Sequence, residues 1–145
     1  MYDAVDILVD SEGDLVVEAG GDLYLATPQE TLTQNILFRV KTDHLDYGPD
    51  PYIGANLFVY IETTNNRQKA EAMVEDIGIS LQRNPFVDPN LLIIDAVPVG
   101  PVTMAAFVLY QGTVDGSDSA TLVEFTITKE DSGVDNESVL NITEL

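Results

Sequence analysis

Apolar and polar residues alternate in short bursts over the first 26 residues. Val5, Ile7 and Val9 alternate with Asp6 and Asp10, and Leu15 and Val17 continue the pattern beside Asp14 and Glu18. A period of two puts the apolar side chains on one face of a half-buried strand. Ser11-Glu12-Gly13 and Gly20-Gly21-Asp22 supply turns, the second leading into Leu23-Tyr24-Leu25. Gly13-Asp14-Leu15 returns as Gly21-Asp22-Leu23 eight residues later, a hairpin-like rhythm far too short for a solenoid.

The period then changes to that of a helix. Thr27 can cap, Pro28 suits the first helical position, and Glu30 stands where a capping box needs it. Leu32, Ile36, Leu37 and Val40 make one apolar stripe, and Lys41 suits a C-terminal turn. Residues 42–56, rich in Gly, Pro and Asp, predict a loop, and Leu57, Val59 and Ile61 predict a short strand after it. A second helix is expected from about Asn65 to Gln82, with Ala70, Met73, Val74, Ile77 and Leu81 on one face. Gly78 weakens it by about 1 kcal/mol relative to Ala, which close packing there would compensate. Asn84-Pro85 ends it.

Strands dominate the remainder. Leu91 to Val97 is one, and Val102 to Tyr110 is apolar on both faces, as in a central strand or an interface. Thr121 to Lys129 alternates cleanly, with Val123, Phe125 and Ile127 inward and Glu124, Thr126 and Thr128 outward. Gln111 to Ala120 reads as an exposed turn. From Glu130 the chain reads as a tail with a short strand-like end. The pattern predicts an α+β fold: an antiparallel sheet of three or four strands packed against two helices. Its parts are an N-terminal strand segment (1–26), a core (27–129) and a C-terminal tail (130–145).

Composition narrows the function classes. The 145 residues are 45% apolar, enough for a single-domain core, and the absence of Cys excludes disulfides and thiolate chemistry. The formal charge of −19, from 25 Asp and Glu against 6 Lys and Arg, disfavours nucleic-acid and anionic membrane surfaces, which need a cationic footprint. It suits a basic partner surface or simple solubility. The apolar runs are too short to span a bilayer, and the acidic start lacks a basic n-region, so cytosolic synthesis without a secretory signal is expected.

Candidate chemistry is thin. Glu12, Asp14, Glu30 and Asp46 can be combined on paper into a glycosidase pair, but pairs arise by chance among so many acids. His44 lies between Asp43 and Asp46, yet one His in a loop is a weak metal signal. The acidic runs at 10–14 and 115–118 lack the spacing of a helix-loop-helix calcium site and read better as turns. No cofactor or metal is expected. Tyr47, Gly48, Pro49, Pro51, Tyr52 and Gly54 set a definite loop path, and Tyr47 and Tyr52 could make a protein contact.

Taken in order, these features resemble the contractile-tail baseplate wedge family, also called the sheath-initiator family, of phage and type VI secretion baseplates. The resemblance spans about residues 5–128: the Gly-Asp-Leu start, Gln34 on the first helix, Tyr52-Ile53-Gly54-Ala55-Asn56-Leu57, a second helix and terminal strands. Where many relatives carry Glu-Pro-Arg, this chain has Asn84-Pro85-Phe86, and Phe86 would replace an ion pair with apolar packing. The resemblance implies a virion structural subunit with no enzymatic activity, touching other wedge subunits, the tail sheath and, as a third neighbour, the tail tube. Contact would come through Tyr47, Tyr52 and Phe86, and through strand addition at Leu122–Thr128 (Leu122, Glu124, Thr126) or at the tail (Val139, Leu140, Ile142). Removing residues 130–145 is expected to weaken assembly without unfolding the domain. The rival readings are a cell-wall glycan hydrolase using Glu30 or Asp46, and an acidic mimic of DNA.

Overall fold

The structure, a computed structural model, describes residues 2–131, 133 and 137–145; Met1 and, within the expected tail, Ser132 and residues 134–136 lie outside the described residues. Its elements are α1 (Pro28–Lys41), α2 (Arg67–Gln82), β1 (Leu92–Pro98), β2 (Thr103–Tyr110), β3 (Thr121–Asp131) and β4 (Ser138–Glu144). The strands form one antiparallel meander in chain order. Both helices lie on one face of it, α2 against β1 and α1 against β3. The fold is α+β, as the pattern predicts.

Local chemistry starts α1. Thr27 Oγ1 accepts from the Glu30 N–H at 3.2 Å, and the Glu30 carboxylate accepts from the Thr27 N–H at 2.8 Å, a closed capping box. The stripe Leu32, Ile36, Leu37 and Val40 is buried, facing Met73, Ile77 and Leu81 of α2 and the inner sheet residues Met104, Val108, Val123, Phe125 and Ile127. Gly78 is not packed tightly: a Cβ there would meet only Ile94 Cδ1 at 3.7 Å, an ordinary contact. Gly78→Ala is therefore expected to stabilise the fold by about 0.5–1 kcal/mol, read as a higher urea midpoint at unchanged slope.

Three expectations are corrected. Leu57–Tyr60 is a turn of 3₁₀ helix, not a strand. Leu57 and Ile61, four apart, turn inward while Val59 is exposed, so the helical period won over the alternating one. Leu122–Thr128 is an edge only at its start: β3 pairs with β2 over Thr121–Thr128 and with β4 over Phe125–Asp131, which encloses the rest. The expected tail supplies that fourth strand, its Leu140 and Ile142 packed against the core and Val139 exposed. Removing residues 130–145 would therefore strip a neighbour from Phe125 and Ile127 and destabilise the domain rather than spare it.

The third correction concerns the N-terminal strands, which close into a ring. Three tripeptides, 7–9, 15–17 and 23–25, pair as Val9 with Leu15, Val17 with Leu23 and Leu25 with Ile7. The Leu8 N–H donates to Tyr24 C=O, the Val16 N–H to Leu8 C=O and the Tyr24 N–H to Val16 C=O, at 3.0, 3.1 and 2.9 Å. An outer set runs in the opposite sense, with the N–H of Asp10 donating to Asp14 C=O, that of Glu18 to Asp22 C=O and that of Ala26 to Asp6 C=O. The eight-residue rhythm thus has a third copy at Asp6-Ile7, and the result is a trefoil rather than a hairpin. Gly13 and Gly21, at φ of 90° and 91°, take the left-handed turns between legs. Before the trefoil, Tyr2 is stitched to the β2–β3 connection: its N–H donates to Thr113 C=O, and its C=O accepts from the Asp115 N–H.

Candidate functional site

The joint between the helices is organised by Arg39. It sits in the last turn of α1, buried, and its guanidinium donates to the carbonyls of Ser80, Arg83 and Asn84 at the C-terminal end of α2. These are carbonyls that a helix leaves without partners, at the negative end of its dipole. The Phe86 ring lies 5.3 Å from the guanidinium carbon and edge-on to Tyr2. Phe86 is therefore half-buried packing rather than an open contact. Arg39 follows Ile36 by three and precedes Val40, inside the apolar stripe. A lone cation in that stripe was the available signal for it.

The loop after α1 is clamped to this joint. Leu45 N–H donates to Pro51 C=O, Ala55 N–H to Arg39 C=O and Asn56 N–H to Thr42 C=O. Arg83 holds Asp50 in a forked pair, with contacts of 2.8 to 3.0 Å, which keeps that carboxyl below the usual carboxylate range. Arg83 also lies 5.8 Å from the Tyr52 ring centre, and His44 meets Tyr52 edge-on at 5.4 Å. Tyr47 and Tyr52 are exposed on this ordered loop, as expected. Among the described residues no group of three or more His, Asp or Glu gathers as a metal site, around His44 or elsewhere. The acidic runs are turns: Asp10 Oδ1 accepts from Glu12 and Asp14 N–H, and Asp115-Gly116, both at positive φ, join a two-residue hairpin.

Nearby, Tyr60 donates to the Asp76 carboxylate, and burial together with that anion pushes its pKa up to about 12. Raised in the folded state, the group contributes stability that is complete below pH 10 and is lost as pH rises through about 12. Tyr60→Phe is expected to flatten the fall in stability over that alkaline window, measured by denaturation at successive pH values.

A groove runs between the trefoil, α1 and β4. Gln34, Leu37, Phe38 and Lys41 line it from the helix, Asp10 and Glu12 from the trefoil, and the successive residues Ile142 to Leu145 from the sheet. Three successive residues, Ile142 to Glu144, are the C-terminal end of β4, so the groove meets the outermost strand there. Glu12 and Glu30 both border it, but the Glu30 carboxylate is held by the Thr27 N–H. Asp46 lies away in the clamped loop, its carboxylate accepting from the Asp43 N–H, so the four glycosidase candidates are not assembled in one place.

The remaining face is the outer side of the sheet. Leu122, Glu124 and Thr126 of β3 point there, beside Leu109, Phe107 and Ala105 of β2 and Ile93, Asp95 and Val97 of β1. Among the described residues no element covers it, so β2 is both a central strand and half of an open apolar face. Apart from Phe86, packed at the helix joint, the expected contact residues fall in three places: the clamped loop, the outer sheet face and β4. Val139 faces outward on β4, whereas Leu140 and Ile142 are engaged with the core. Among the described residues no helix is long and apolar enough to cross a membrane. No family model, curated protein or solved structure matches the chain.

Proposed function

We propose that the protein is a structural subunit of a contractile-tail baseplate wedge, a binding module rather than an enzyme, offering the tail sheath its first docking surface. One observation carries the reading on from the sequence resemblance: the free edge of β4 opens onto a groove with α1 as its far wall. An edge strand has a row of unpaired N–H and C=O groups, and an extended arm from a sheath or wedge neighbour would pair with them. Phe38, exposed on α1, gives such an arm apolar contact, and the net charge of −19 favours a basic one. The exposed Tyr47 and Tyr52 supply a second contact at another place on the domain. The protein then resides in the virion baseplate, among wedge subunits and beside the tube.

The test is recovery of the tagged protein from cells expressing it with its native gene neighbours, followed by hydrogen exchange on the complex. Sheath and wedge subunits are expected in a defined ratio, with residues 138–144 exchanging more slowly than in the free protein. Recovery of the protein alone would overturn the assembly reading, and turnover of peptidoglycan by the pure protein would replace it. Recovery of the complex with unchanged exchange in β4 would remove strand addition from it.

A further inference from the structure

The trefoil builds one edge three times and fills it once. On the first leg, Gln34 of α1 accepts from the Val9 N–H through Oε1 at 2.9 Å and donates to the Ile7 C=O through Nε2 at 3.1 Å. A carboxamide there does what a neighbouring strand's peptide group would do, taking one donor and one acceptor together. Ile7 and Val9 are half-buried beneath the helix.

Eight and sixteen residues on, the ring repeats the same backbone positions. Leu15 C=O and Val17 N–H occupy them on the second leg, Leu23 C=O and Leu25 N–H on the third, and none has a hydrogen-bond partner among the described residues. Their side chains are bare: Leu15 is 55% exposed, Val17 57%, Leu23 42% and Leu25 63%. The shared ring bonds give each leg the same register, so each open edge presents the donor and acceptor that Gln34 spans on the first.

We propose that these two open edges are docking sites for glutamine side chains presented by basic helices of a partner protein. The filled edge is the template. Only a group that donates and accepts side by side satisfies both backbone atoms; a carboxylate cannot donate and an ammonium cannot accept. A partner helix needs apolar residues three or four positions from its glutamine, on the same face, to cover the exposed aliphatic side chains. From Asp3 to Ala26 the chain carries seven carboxylates and no Lys, Arg or His, so the flanks of that helix are basic. The proposal does not rest on the baseplate reading.

The experiment is selection of a displayed helical-bundle library, randomised on one helix face, against the whole protein. Enriched binders are expected to carry Gln with apolar residues three or four positions away and Lys or Arg around it. Gln→Glu in such a binder should cost at least tenfold in affinity, and binding should shift the amide resonances of Val17 and Leu25. The protein variant Leu15→Asp, Val17→Asp, Leu23→Asp, Leu25→Asp, altered at exposed positions, should lose binding with its circular dichroism unchanged. Because the resonance shifts are read on the unaltered protein, they decide the matter even where that variant fails to fold. Binders without Gln, binders whose shifts lie elsewhere, or a selection that yields none would overturn the proposal.

Discussion

Replacing Arg39 with methionine is expected to remove about 3–5 kcal/mol of folding stability, a large share of what a domain of this size has. Methionine keeps the apolar stem in the stripe but leaves the carbonyls of Ser80, Arg83 and Asn84 without the donors they face. Each buried acceptor so orphaned costs about 1–3 kcal/mol, less where water reaches it, and the two outer carbonyls are part-exposed. The contact with Phe86 goes as well. Arg39→Lys should lie between the two, since an ammonium retains the charge but not the planar fork. Urea denaturation of the three proteins checks the order; a methionine variant within 1 kcal/mol of the parent would mean that these carbonyls are already hydrated.

Gly54→Ala is the second change with a large expected cost, about 3 kcal/mol, for a different reason. A Cβ on Gly54 would lie 1.9 Å from the Thr42 carbonyl oxygen and 2.4 Å from its carbon. Those are backbone atoms at the end of α1, so no side-chain rotation relieves the overlap. The loop would have to lift away, breaking the bonds from Ala55 N–H to Arg39 C=O and from Asn56 N–H to Thr42 C=O. Gly48 is the control: nothing lies within 4 Å of a Cβ there, and Gly48→Ala should fall within about 0.5 kcal/mol of the parent. Thermal and urea unfolding of the pair give the comparison, and equal stabilities would remove close approach as the reason for glycine at position 54.

What was legible in the sequence follows the range of the interactions. The capping box of α1 and its stripe involve residues three or four apart, and both stand as read. β1, β2 and β3 were legible as strands, β3 by its clean alternation and β1 and β2 as apolar runs of strand length. β4 was half legible: an edge strand needs only Leu140 and Ile142 inward, too few to declare a period after a run of Gly, Asp and Ser. Leu57 to Ile61 satisfies both periods, and only its surroundings choose between them. The trefoil showed its rhythm but not its closure, since Leu25 meets Ile7 across two repeats, whereas the other two pairings join adjacent legs. Of the candidate site, the clamped aromatic loop was foreseen from its glycines and prolines. The groove was not, because three separate segments build it and each has another local role.

The trefoil also bears on how force travels through the molecule. A hairpin unzips from its open end one bond at a time, whereas a ring of three legs has no open end, and releasing one leg leaves the others joined at a single bridge. Its ends are both moored, at Tyr2 on the β2–β3 connection and at Thr27 where α1 begins. Tension between those two moorings must therefore part the third leg from the first, at Leu25 with Ile7 and at Ala26 with Asp6, before the buckle can lengthen.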